Sequence, residues 1–287
     1  MLKTIKLNEN CNVHGCALVL GGFDGMHLGH HRLIARAKEV GAPIGLMTIV
    51  GGKGDSLYTL EERLDIFRKA GVDFVVPFEF ADICEKSAEE FLQGLEECFA
   101  PVAYVCGADF RFGKGAKGNA DEIKQMSKVP VIKEELVLYG GEKIATRTLK
   151  ELLVEGKVDE MRKMLGSPFF MTGEVVYGRK VGRIIGYPTA NFNYPVGKLP
   201  IKEGVYCVAV EVDGKPYKGI ANFGGQPTFG DYRVRLEVHL DGFDADLYGY
   251  ILTVEFLSYL RPVKKFGDME ELRTQLDEDI KKVREND

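Results

Sequence analysis

The chain has 287 residues, 45% of them hydrophobic and 28% charged, and this length and composition suit about two globular domains, each with its own core. They exclude a mainly disordered, collagenous or coiled-coil protein. The formal net charge of −5 gives no overall positive field that would attract a polyanion, so no nucleic-acid partner is expected and any phosphate must bind at a local site.

The N-terminal residues and the cysteines bear on location. Residues 1–12 alternate lysine with apolar side chains and lack the features of a secretory signal, and no segment has the length of a bilayer-spanning helix. We therefore expect a cytoplasmic protein with no membrane partner. No two cysteines have the C-x-x-C spacing of a zinc site or a redox dithiol, so reduced thiols are expected at Cys11, Cys16, Cys84, Cys98, Cys106 and Cys207.

The first half of the chain alternates short apolar runs with helical patterns. Helices are predicted at residues 30–40, after Thr59 and after Ser87, the last two with a glutamate at the capping-box position three residues on. Apolar strands are predicted at residues 16–20, 44–49, 74–78 and 103–106. This alternation predicts an α/β domain with a parallel sheet covered by helices.

The second half has a different pattern. After a helical stretch at 149–165, segments of period two are predicted as strands at residues 171–177, 205–212, 218–223, 234–240 and 251–257. Asp213 and Gly214 predict a tight hairpin turn, and residues 268–283 predict an amphipathic helix. About five or six antiparallel strands in so short a segment predict an all-β closed barrel, because closure removes exposed edges. We expect two domains, 1–165 and 166–287.

A glycine-rich turn with two histidines lies where the first strand meets the first helix. Glycines there let the backbone approach a ligand closely, and the free amides of a helix N-terminus favour phosphate. His27 and His30 can both donate hydrogen bonds to one triphosphate. Two other interpretations stay open at this point: the histidines only cap the helix, or they form part of a metal site.

A second segment, Asp109-Phe110-Arg111, follows the predicted strand at 103–106 and opens onto the same edge of the sheet. Its aromatic rings and Arg111 can stack on a flat heterocycle, and Asp109 can bind a ring or ribose hydroxyl. The alternative is a solvated surface loop whose long charged side chains reach into water.

Together these segments resemble one enzyme family. His-x-Gly-His resembles the signature of the nucleotidylyltransferase superfamily, Phe-Asp-Gly before it is similar to the flavin-specific branch, and Asp-Phe-Arg-Phe-Gly completes a pattern similar to FAD synthetase. The resemblance implies a Rossmann-like domain that adenylylates FMN with ATP, with His27 and His30 as catalytic residues. It implies nucleotide or flavin binding by Gly21, Phe23, Asp24, Gly25, Gly29, Asp109, Phe110 and Arg111. Thr146 and Arg147 lie in a segment that departs from the family motif, and they can still supply a hydroxyl and a positive charge to a triphosphate.

In the second half, glycines and cations precede a rigid Pro188-Thr189-Ala190-Asn191 turn. Amides there can hold phosphate oxygens, and Thr189 and Asn191 can offer oxygen ligands to Mg²⁺. Alone, such a turn is equally a loop that enters a strand. With the preceding Gly-Arg-x-x-Gly-Tyr and further segments at 204–206, 222–224, 237–239 and 247–249, it closely resembles riboflavin kinases.

The kinase resemblance implies that Glu237 is the general base that takes the proton from the ribityl 5′-hydroxyl. Without the resemblance, an isolated carboxylate on a strand is usually a solvated, outward residue. The resemblance also implies Thr189 and Asn191 as the metal ligands, and it implies ligand binding by Gly182, Arg183, Gly186, Pro188 and Arg261.

The chain as a whole resembles the bacterial bifunctional riboflavin kinase/FMN adenylyltransferases. This resemblance implies that riboflavin and ATP give FMN and ADP in the barrel, and that FMN and ATP give FAD and pyrophosphate in the first domain, both with Mg²⁺. The expected partners are these small molecules, and a homo-oligomer is compatible with the sequence but is not specified by it.

Two departures from the family pattern, and one smaller difference at Gly22, keep alternatives open. Residues 49–54 lack a Phe-Glu-Pro-His-Pro-like loop, residues 145–150 replace a Ser-Ser-Thr-x-x-Arg-like motif, and Gly22 stands where asparagine is common. One alternative is therefore a monofunctional riboflavin kinase with a degenerate first domain. Another is a non-catalytic flavin-binding protein. Adenylyl transfer to phosphopantetheine or nicotinamide mononucleotide would leave the barrel unexplained.

Overall fold

A computed structural model describes residues 2–7, 11, 13–52, 54–178, 181–226 and 231–285, with the backbone alone at 181, 184, 225, 226 and 231–234. The chain forms two compact units, Met1–Thr146 and Arg147–Asp287. Among the described helices, none is long and apolar enough to cross a membrane. The domain boundary expected between residues 165 and 166 stays a prediction.

The first unit alternates strands and helices, as the sequence predicts. Its elements are β1 (Lys3–Thr4), β2 (Ala17–Leu20), α1 (Leu28–Glu39), β3 (Ile44–Val50), α2 (Leu60–Ala70), β4 (Phe74–Glu79), α3 (Phe80–Ile83), α4 (Ala88–Phe99), β5 (Ala103–Gly107), β6 (Arg111–Phe112), β7 (Gly118–Asn119), α5 (Ala120–Met126), β8 (Val131–Glu134), β9 (Leu138–Tyr139) and β10 (Glu142–Lys143). Six parallel strands form its sheet in the order β1-β4-β3-β2-β5-β8. The predicted parallel sheet is confirmed.

The central strand β2 is buried on both faces of the sheet. Leu18 and Leu20 pack in one apolar cluster with α4, whereas Ala17 and Val19 pack in a second cluster with α1. A strand covered on both faces needs apolar residues at every position, which explains why it appears in the sequence as a continuous apolar run.

Two helices of the first unit begin at the predicted capping boxes. The side chains of Thr59 and Ser87 each accept a hydrogen bond from the backbone N–H three residues on. The carboxylates of Glu62 and Glu90 each accept a hydrogen bond from the backbone N–H of the capping residue. Each box satisfies two amides that the helix itself leaves without a partner.

The elements from residue 146 onward build a barrel with helices before and after it. They are α6 (Thr146–Glu155), α7 (Val158–Leu165), β11 (Phe169–Val176), α8 (Val181–Ile184), β12 (Ala190–Phe192), β13 (Gly204–Val212), β14 (Lys215–Gln226), β15 (Asp231–Leu240), β16 (Ile251–Arg261) and α9 (Met269–Glu285). The barrel closes in the order β11-β12-β15-β14-β13-β16, with every neighbouring pair antiparallel. The predicted all-β closed barrel is confirmed.

In the barrel unit, the sequence predicts one turn correctly and one helix boundary wrongly. Asp213 and Gly214 form the predicted hairpin turn, with φ angles of 51° and 77°. The single helical stretch predicted at 149–165 is wrong, because Gly156 adopts a φ of 79° and separates α6 from α7. A left-handed glycine ends a helix even when the apolar pattern continues beyond it.

A disulfide joins Cys11 to Cys98 on α4, with the two Cα atoms 5.1 Å apart. The expectation that all six cysteines are reduced is therefore wrong for this pair. The two residues are 87 positions apart, so no local spacing could indicate that the fold brings them together. Cys16, Cys106 and Cys207 are buried free thiols, as expected.

Candidate active sites

The glycine-rich turn between β2 and α1 is tightly built. Gly21 lies so close to the ring of Phe23 that an added Cβ would come within 2.6 Å of it. Phe23 is fully buried and has a φ of 45°, a backbone region that bulky residues rarely adopt. Surrounding packing holds such a conformation, and positions of this kind cluster at ligand sites.

His27 and His30 lie face to face in this turn, with ring centroids 3.6 Å apart. Nδ1 of His27 accepts a hydrogen bond from the backbone N–H of His30 at 3.3 Å, so α1 begins two residues before its predicted start. Nδ1 of His30 lies 2.6 Å from the carbonyl oxygen of Gly25, and since a carbonyl only accepts, this nitrogen carries the hydrogen. In the neutral rings, His27 therefore has its hydrogen on Nε2, whereas His30 has a lone pair there.

Burial keeps both rings neutral at neutral pH. Burial, followed by the nearby charges of Lys143 and His31, lowers the pKa of His27 to about 4. Burial and then the neighbouring His27 lower the pKa of His30 well below its ordinary value. A bound polyphosphate would favour the charged form of each ring and raise both pKa values.

The two histidines line a cleft of about 580 Å³ at the carboxyl ends of β2, β3 and β5. A volume in this range suits a small-molecule ligand such as a nucleotide. The cleft brings together eight residues that the sequence analysis selected: Gly21, His27, Gly29, His30, Asp109, Phe110, Arg111 and Thr146. The interpretation that the histidines cap the helix is confirmed for His27, which caps α1, but His27 also lines the cleft.

The Pro-Thr-Ala-Asn turn of the second unit begins at a close backbone approach. A Cβ at Gly182 would come within 2.1 Å of the carbonyl oxygen of Tyr187, and Gly186 has a φ of 84°, so both positions require glycine. Beside this turn is a small cavity of about 40 Å³ whose lining includes Arg183, Pro188 and Thr189.

Three polar residues stand in a row across neighbouring strands of the barrel. Asn191 on β12 lies opposite Glu237 on β15, and Glu237 lies opposite Asn222 on β14. Residues that pair directly across antiparallel strands have Cβ atoms roughly 5 Å apart on the same face. The carboxylate of Glu237 is therefore flanked by two amide side chains.

Asn191 has a buried oxygen that lacks a partner. The residue is 6% exposed, its Nδ2 lies 3.4 Å from the carbonyl oxygen of Thr189, and its Oδ1 has no hydrogen-bond partner in the described part of the chain. An unpaired buried oxygen is costly, and among the described residues this one is free to accept a bond from a ligand. With the Thr189 hydroxyl it offers the hard oxygen ligands that Mg²⁺ prefers, and the two residues fit a magnesium site.

Two family models match the chain along these same two units. The FAD synthetase model matches residues 9–148, and the riboflavin kinase model matches residues 165–286. The bifunctional riboflavin kinase/FMN adenylyltransferase of Haemophilus influenzae is 31% identical over 95% of this chain and 94% of its own length. This chain belongs to that family.

Other members of the family are equally similar. The bifunctional riboflavin kinase/FMN adenylyltransferase of Escherichia coli K12 is 32% identical, covering 94% of this chain and 92% of its own. A crystal structure from Streptococcus pneumoniae has a TM-score of 0.89 at 28% identity over 99% of both chains, although it is named as a macrolide-efflux protein. The family resemblance stated from the motifs is confirmed, and the bifunctional interpretation is favoured over a monofunctional kinase.

Some of the predicted residues shape the two family sites without lining the cavities. Oδ1 of Asp24 accepts a hydrogen bond from the backbone N–H of Leu57 at 2.9 Å, and Gly25 supplies the carbonyl that holds His30. Arg147 forms an ion pair with Glu151 within α6, at 2.9 Å, and its side chain is 90% exposed. Their ligand-binding roles stay predictions.

Arg261, which the kinase resemblance places near the flavin, is held by α9. Its guanidinium forms an ion pair with the fully buried Asp279 at 2.8 Å and lies 5.8 Å from the ring centroid of Phe266. A buried carboxylate needs such a partner, since removing either side would leave an uncompensated charge. Whether Arg261 also contacts ligand stays a prediction.

Lys143 on β10 is a residue of the adenylyltransferase cleft that the sequence analysis missed. It lines the cleft and its Nζ forms an ion pair with Asp109, which connects the hairpin of β9 and β10 to the loop after β5. It also belongs to the charges that lower the pKa of His27. Its position in the sequence could have indicated it, because Lys143 lies two residues before Ala145, where the segment 145–150 that departs from the family motif begins.

Arg63 is a second residue of the first unit that the sequence did not single out. It is 2% exposed, and its Nη1 donates to Oγ1 of Thr48 at 3.1 Å and to the carbonyl oxygen of Ile49 at 2.7 Å. Oγ1 of Thr48 in turn donates to the carbonyl oxygen of Gly22 at 3.1 Å. Through these hydrogen bonds, Arg63 and Thr48 connect the end of β3 to the glycine-rich turn.

Proposed function

We propose that this chain makes FAD from riboflavin in two steps, each at its own site. The barrel phosphorylates riboflavin with ATP to give FMN and ADP, and the first unit adenylylates FMN with ATP to give FAD and pyrophosphate. One observation carries the proposal. The cleft lined by His27 and His30 lies in the segment that the FAD synthetase model matches. The turn with Thr189 and Asn191, beside Glu237, lies in the segment that the riboflavin kinase model matches.

In the first unit, an oxygen of the FMN phosphate attacks the α-phosphorus of ATP, and the bond to the departing pyrophosphate breaks. His27 donates its Nε2 hydrogen to a phosphate oxygen as negative charge moves toward the pyrophosphate, and Lys143 adds positive charge nearby. Thr146, which also lines the cleft, offers a hydroxyl. His30 can donate from Nε2 only after that nitrogen gains a proton, because its Nδ1 hydrogen is directed to Gly25.

Binding of ATP to the first unit should therefore take up a proton on His30. At pH 7 the free ring is neutral, since its pKa is well below the ordinary value, and the approaching phosphates raise that pKa. We expect a net uptake of protons with ATP that decreases as the pH rises above 7. Calorimetric titration with ATP in two buffers of different ionisation enthalpy measures this uptake.

The matched control is His30→Asn, whose side-chain NH₂ can replace the Nδ1 hydrogen bond to Gly25 but cannot gain a proton. Proton uptake per ATP should then be smaller than in wild type by the share of His30, whereas any uptake by His27 or by groups in the barrel should persist in both proteins. Equal proton uptake by the two proteins would contradict the assignment to His30.

In the barrel, the 5′-hydroxyl oxygen of riboflavin attacks the γ-phosphorus of ATP, ADP leaves, and the hydroxyl proton passes to Glu237. Thr189 and Asn191 would hold Mg²⁺, which neutralises phosphate charge when bound. Arg183 lines the neighbouring cavity and offers a further positive charge. Because phosphoryl transfer depends mainly on alignment and charge neutralisation, Glu237 contributes a smaller share than these groups.

The test supplies riboflavin, ATP and Mg²⁺ and separates the products over time. Glu237→Gln should slow FMN formation by about a hundredfold while riboflavin still binds, because the amide cannot accept the proton. Glu211→Gln, at an exposed position on β13, is the matched control and should behave as wild type. Unchanged FMN formation in Glu237→Gln would remove it as the base, and FMN without FAD from the wild-type protein would favour a monofunctional kinase.

We also propose that the reaction takes place in the cytoplasm and that each site uses Mg²⁺, with ATP as co-substrate. Arg147 is proposed to contact the triphosphate of the adenylyltransferase cleft, and Arg261 the flavin of the barrel. The domain division 1–165 and 166–287 is proposed on the change of sequence pattern at residue 166. Nucleic acid and membrane are not proposed as partners.

A further inference from the structure

The side chain of His239 holds the turn that carries Thr189, and it has no role in the phosphoryl transfer described above. His239 lies on β15, two residues after Glu237 and half-buried, and its Nδ1 is 2.8 Å from the carbonyl oxygen of Pro188. A carbonyl only accepts, so Nδ1 of His239 carries the hydrogen and donates it. This bond joins the strand of Glu237 to the peptide group that Pro188 shares with Thr189.

The backbone ladder gives this turn little other support. β12 has three residues, which pair with β15 at three positions and with β11 at two. Thr189 precedes the strand and takes no part in these pairings. A side-chain bond from β15 to Pro188 therefore supplies a constraint that the short ladder cannot.

Tyr187 also supports this turn. Its ring meets the ring of His239 at 4.9 Å between centroids and an angle of 62°, and its backbone N–H donates to the carbonyl oxygen of Gly182 at 2.8 Å. Its hydroxyl donates to Asp277 of α9. Burial and this bond raise the pKa of Tyr187 to about 12, so the hydroxyl remains a donor at neutral pH.

The helix α9 is in turn fixed on the barrel. Arg284 makes two hydrogen bonds to Asp241, at 2.7 and 2.8 Å, and Asp241 lies two residues after His239. Ile280 and Val283 of α9 are buried in an apolar cluster with residues of β13 and β14. The helix is thus a firm support for Tyr187.

We propose that His239 is a positioning residue for phosphoryl transfer. By holding the Pro188 carbonyl, it sets where Thr189 and Asn191 stand relative to Glu237 on its own strand. Tyr187, backed by α9, keeps the imidazole ring in place. This inference rests on the proposed kinase function of the barrel, and it concerns the hydrogen bond from Nδ1 and not a charge on the ring.

Two variants that differ by one methylene group test the proposal. In His239→Asn, the amide NH₂ stands close to the place of Nδ1 and can still donate to Pro188, whereas in His239→Gln the amide extends past it. We expect His239→Gln to lower kcat for FMN formation by about tenfold to a hundredfold, since small displacements of aligned groups cost that much. His239→Asn should stay within about threefold of wild type, with the KM for riboflavin unchanged in both.

Nucleotide binding gives a measurement that does not depend on turnover. Calorimetric titration with ADP, with and without Mg²⁺, should show that Mg²⁺ tightens binding in wild type and His239→Asn, and less in His239→Gln. Adenylyl transfer from ATP to FMN is the control in the same chain, and it should be equal in all three proteins. Loss of the thermal unfolding transition of the barrel in His239→Gln would mean a folding defect, and Tyr187→Phe would then replace it, with an expected loss of about threefold to tenfold in kcat.

Three results would overturn the proposal. The first is a kcat for His239→Gln within about twofold of wild type, and the second is an equal loss of kcat in His239→Gln and His239→Asn. The third applies where His239→Gln does not fold, and it is a wild-type kcat in Tyr187→Phe. If wild-type protein leaves riboflavin unphosphorylated, the proposed function fails. His239 is then tested by ADP binding alone, where equal effects of Mg²⁺ in all three proteins overturn its role.

Discussion

Replacing Asn191 with leucine is expected to slow FMN formation by about a hundredfold or more and to lower the unfolding free energy of the barrel by less than about 2 kcal/mol. Both effects follow from Oδ1, which is buried without a hydrogen-bond partner in the described part of the chain and is the proposed ligand for Mg²⁺. Leucine has the same branching at Cγ as asparagine, although it is larger, and it removes the unpaired oxygen together with the 3.4 Å contact from Nδ2 to the carbonyl oxygen of Thr189. The rate of FMN formation at saturating substrate and the midpoint of thermal unfolding measure the two effects separately.

The matched control for this substitution is Asn193→Leu, two residues further along and exposed. It should retain FMN formation, and both variants should make FAD from added FMN as fast as wild type, because that step uses the other site. A loss of more than about 2 kcal/mol of unfolding free energy in Asn191→Leu would show that Oδ1 has a structural partner. FMN formation within about twofold of wild type would show that Oδ1 is not needed for the reaction.

The fold follows from the sequence where burial is uniform or where caps are local. The strand predicted at 16–20 is observed as β2 because a strand covered on both faces is apolar throughout. The capping boxes of α2 and α4 depend on residues three positions apart, so they are visible in the sequence. The three-residue β12 is too short to show a period of two, so the sequence does not predict it as a strand.

Among the residues of the candidate sites, those in contiguous motifs are predicted from the sequence, and those that depend on distant neighbours are not. The glycine-histidine turn is a contiguous motif, so the sequence alone predicts Gly21, His27, Gly29 and His30, which line the cleft. Lys143 and His239 act through neighbours that are distant in sequence, Asp109 and Pro188, and only the folded chain brings these pairs together. Arg63 follows two glutamates on a helix and has the pattern of a solvated cation, yet it is buried beneath the glycine-rich turn.

The cysteine pairing and the helix boundary near Gly156 show what local patterns cannot supply. A disulfide between residues 87 positions apart depends on where α4 places Cys98, and no spacing rule contains that information. The break between α6 and α7 depends on the conformation of one glycine inside a continuous amphipathic pattern. In both cases tertiary structure selected one of several outcomes that the sequence allowed.

The substitution His27→Asn should lower the rate of FAD formation from FMN by about a hundredfold to a thousandfold without unfolding the first unit. Asparagine is a good helix cap, so its side-chain oxygen can replace Nδ1 in accepting from the backbone N–H of His30. It has no group at the place of Nε2, from which His27 is proposed to donate to phosphate. The variant therefore separates the capping role from the catalytic role, which the sequence left as competing interpretations.

The matched control is His31→Asn, on the same helix and outside the lining of the cleft, which should form FAD at the wild-type rate. Thermal unfolding of His27→Asn should agree with wild type to within about 1 kcal/mol, and FMN formation in the barrel should be unchanged. Wild-type FAD formation in His27→Asn would mean that the histidine is only a cap. Since the neutral His27 is the ring whose Nε2 carries a hydrogen before ATP arrives, the larger loss should come from this variant and the smaller one from His30→Asn.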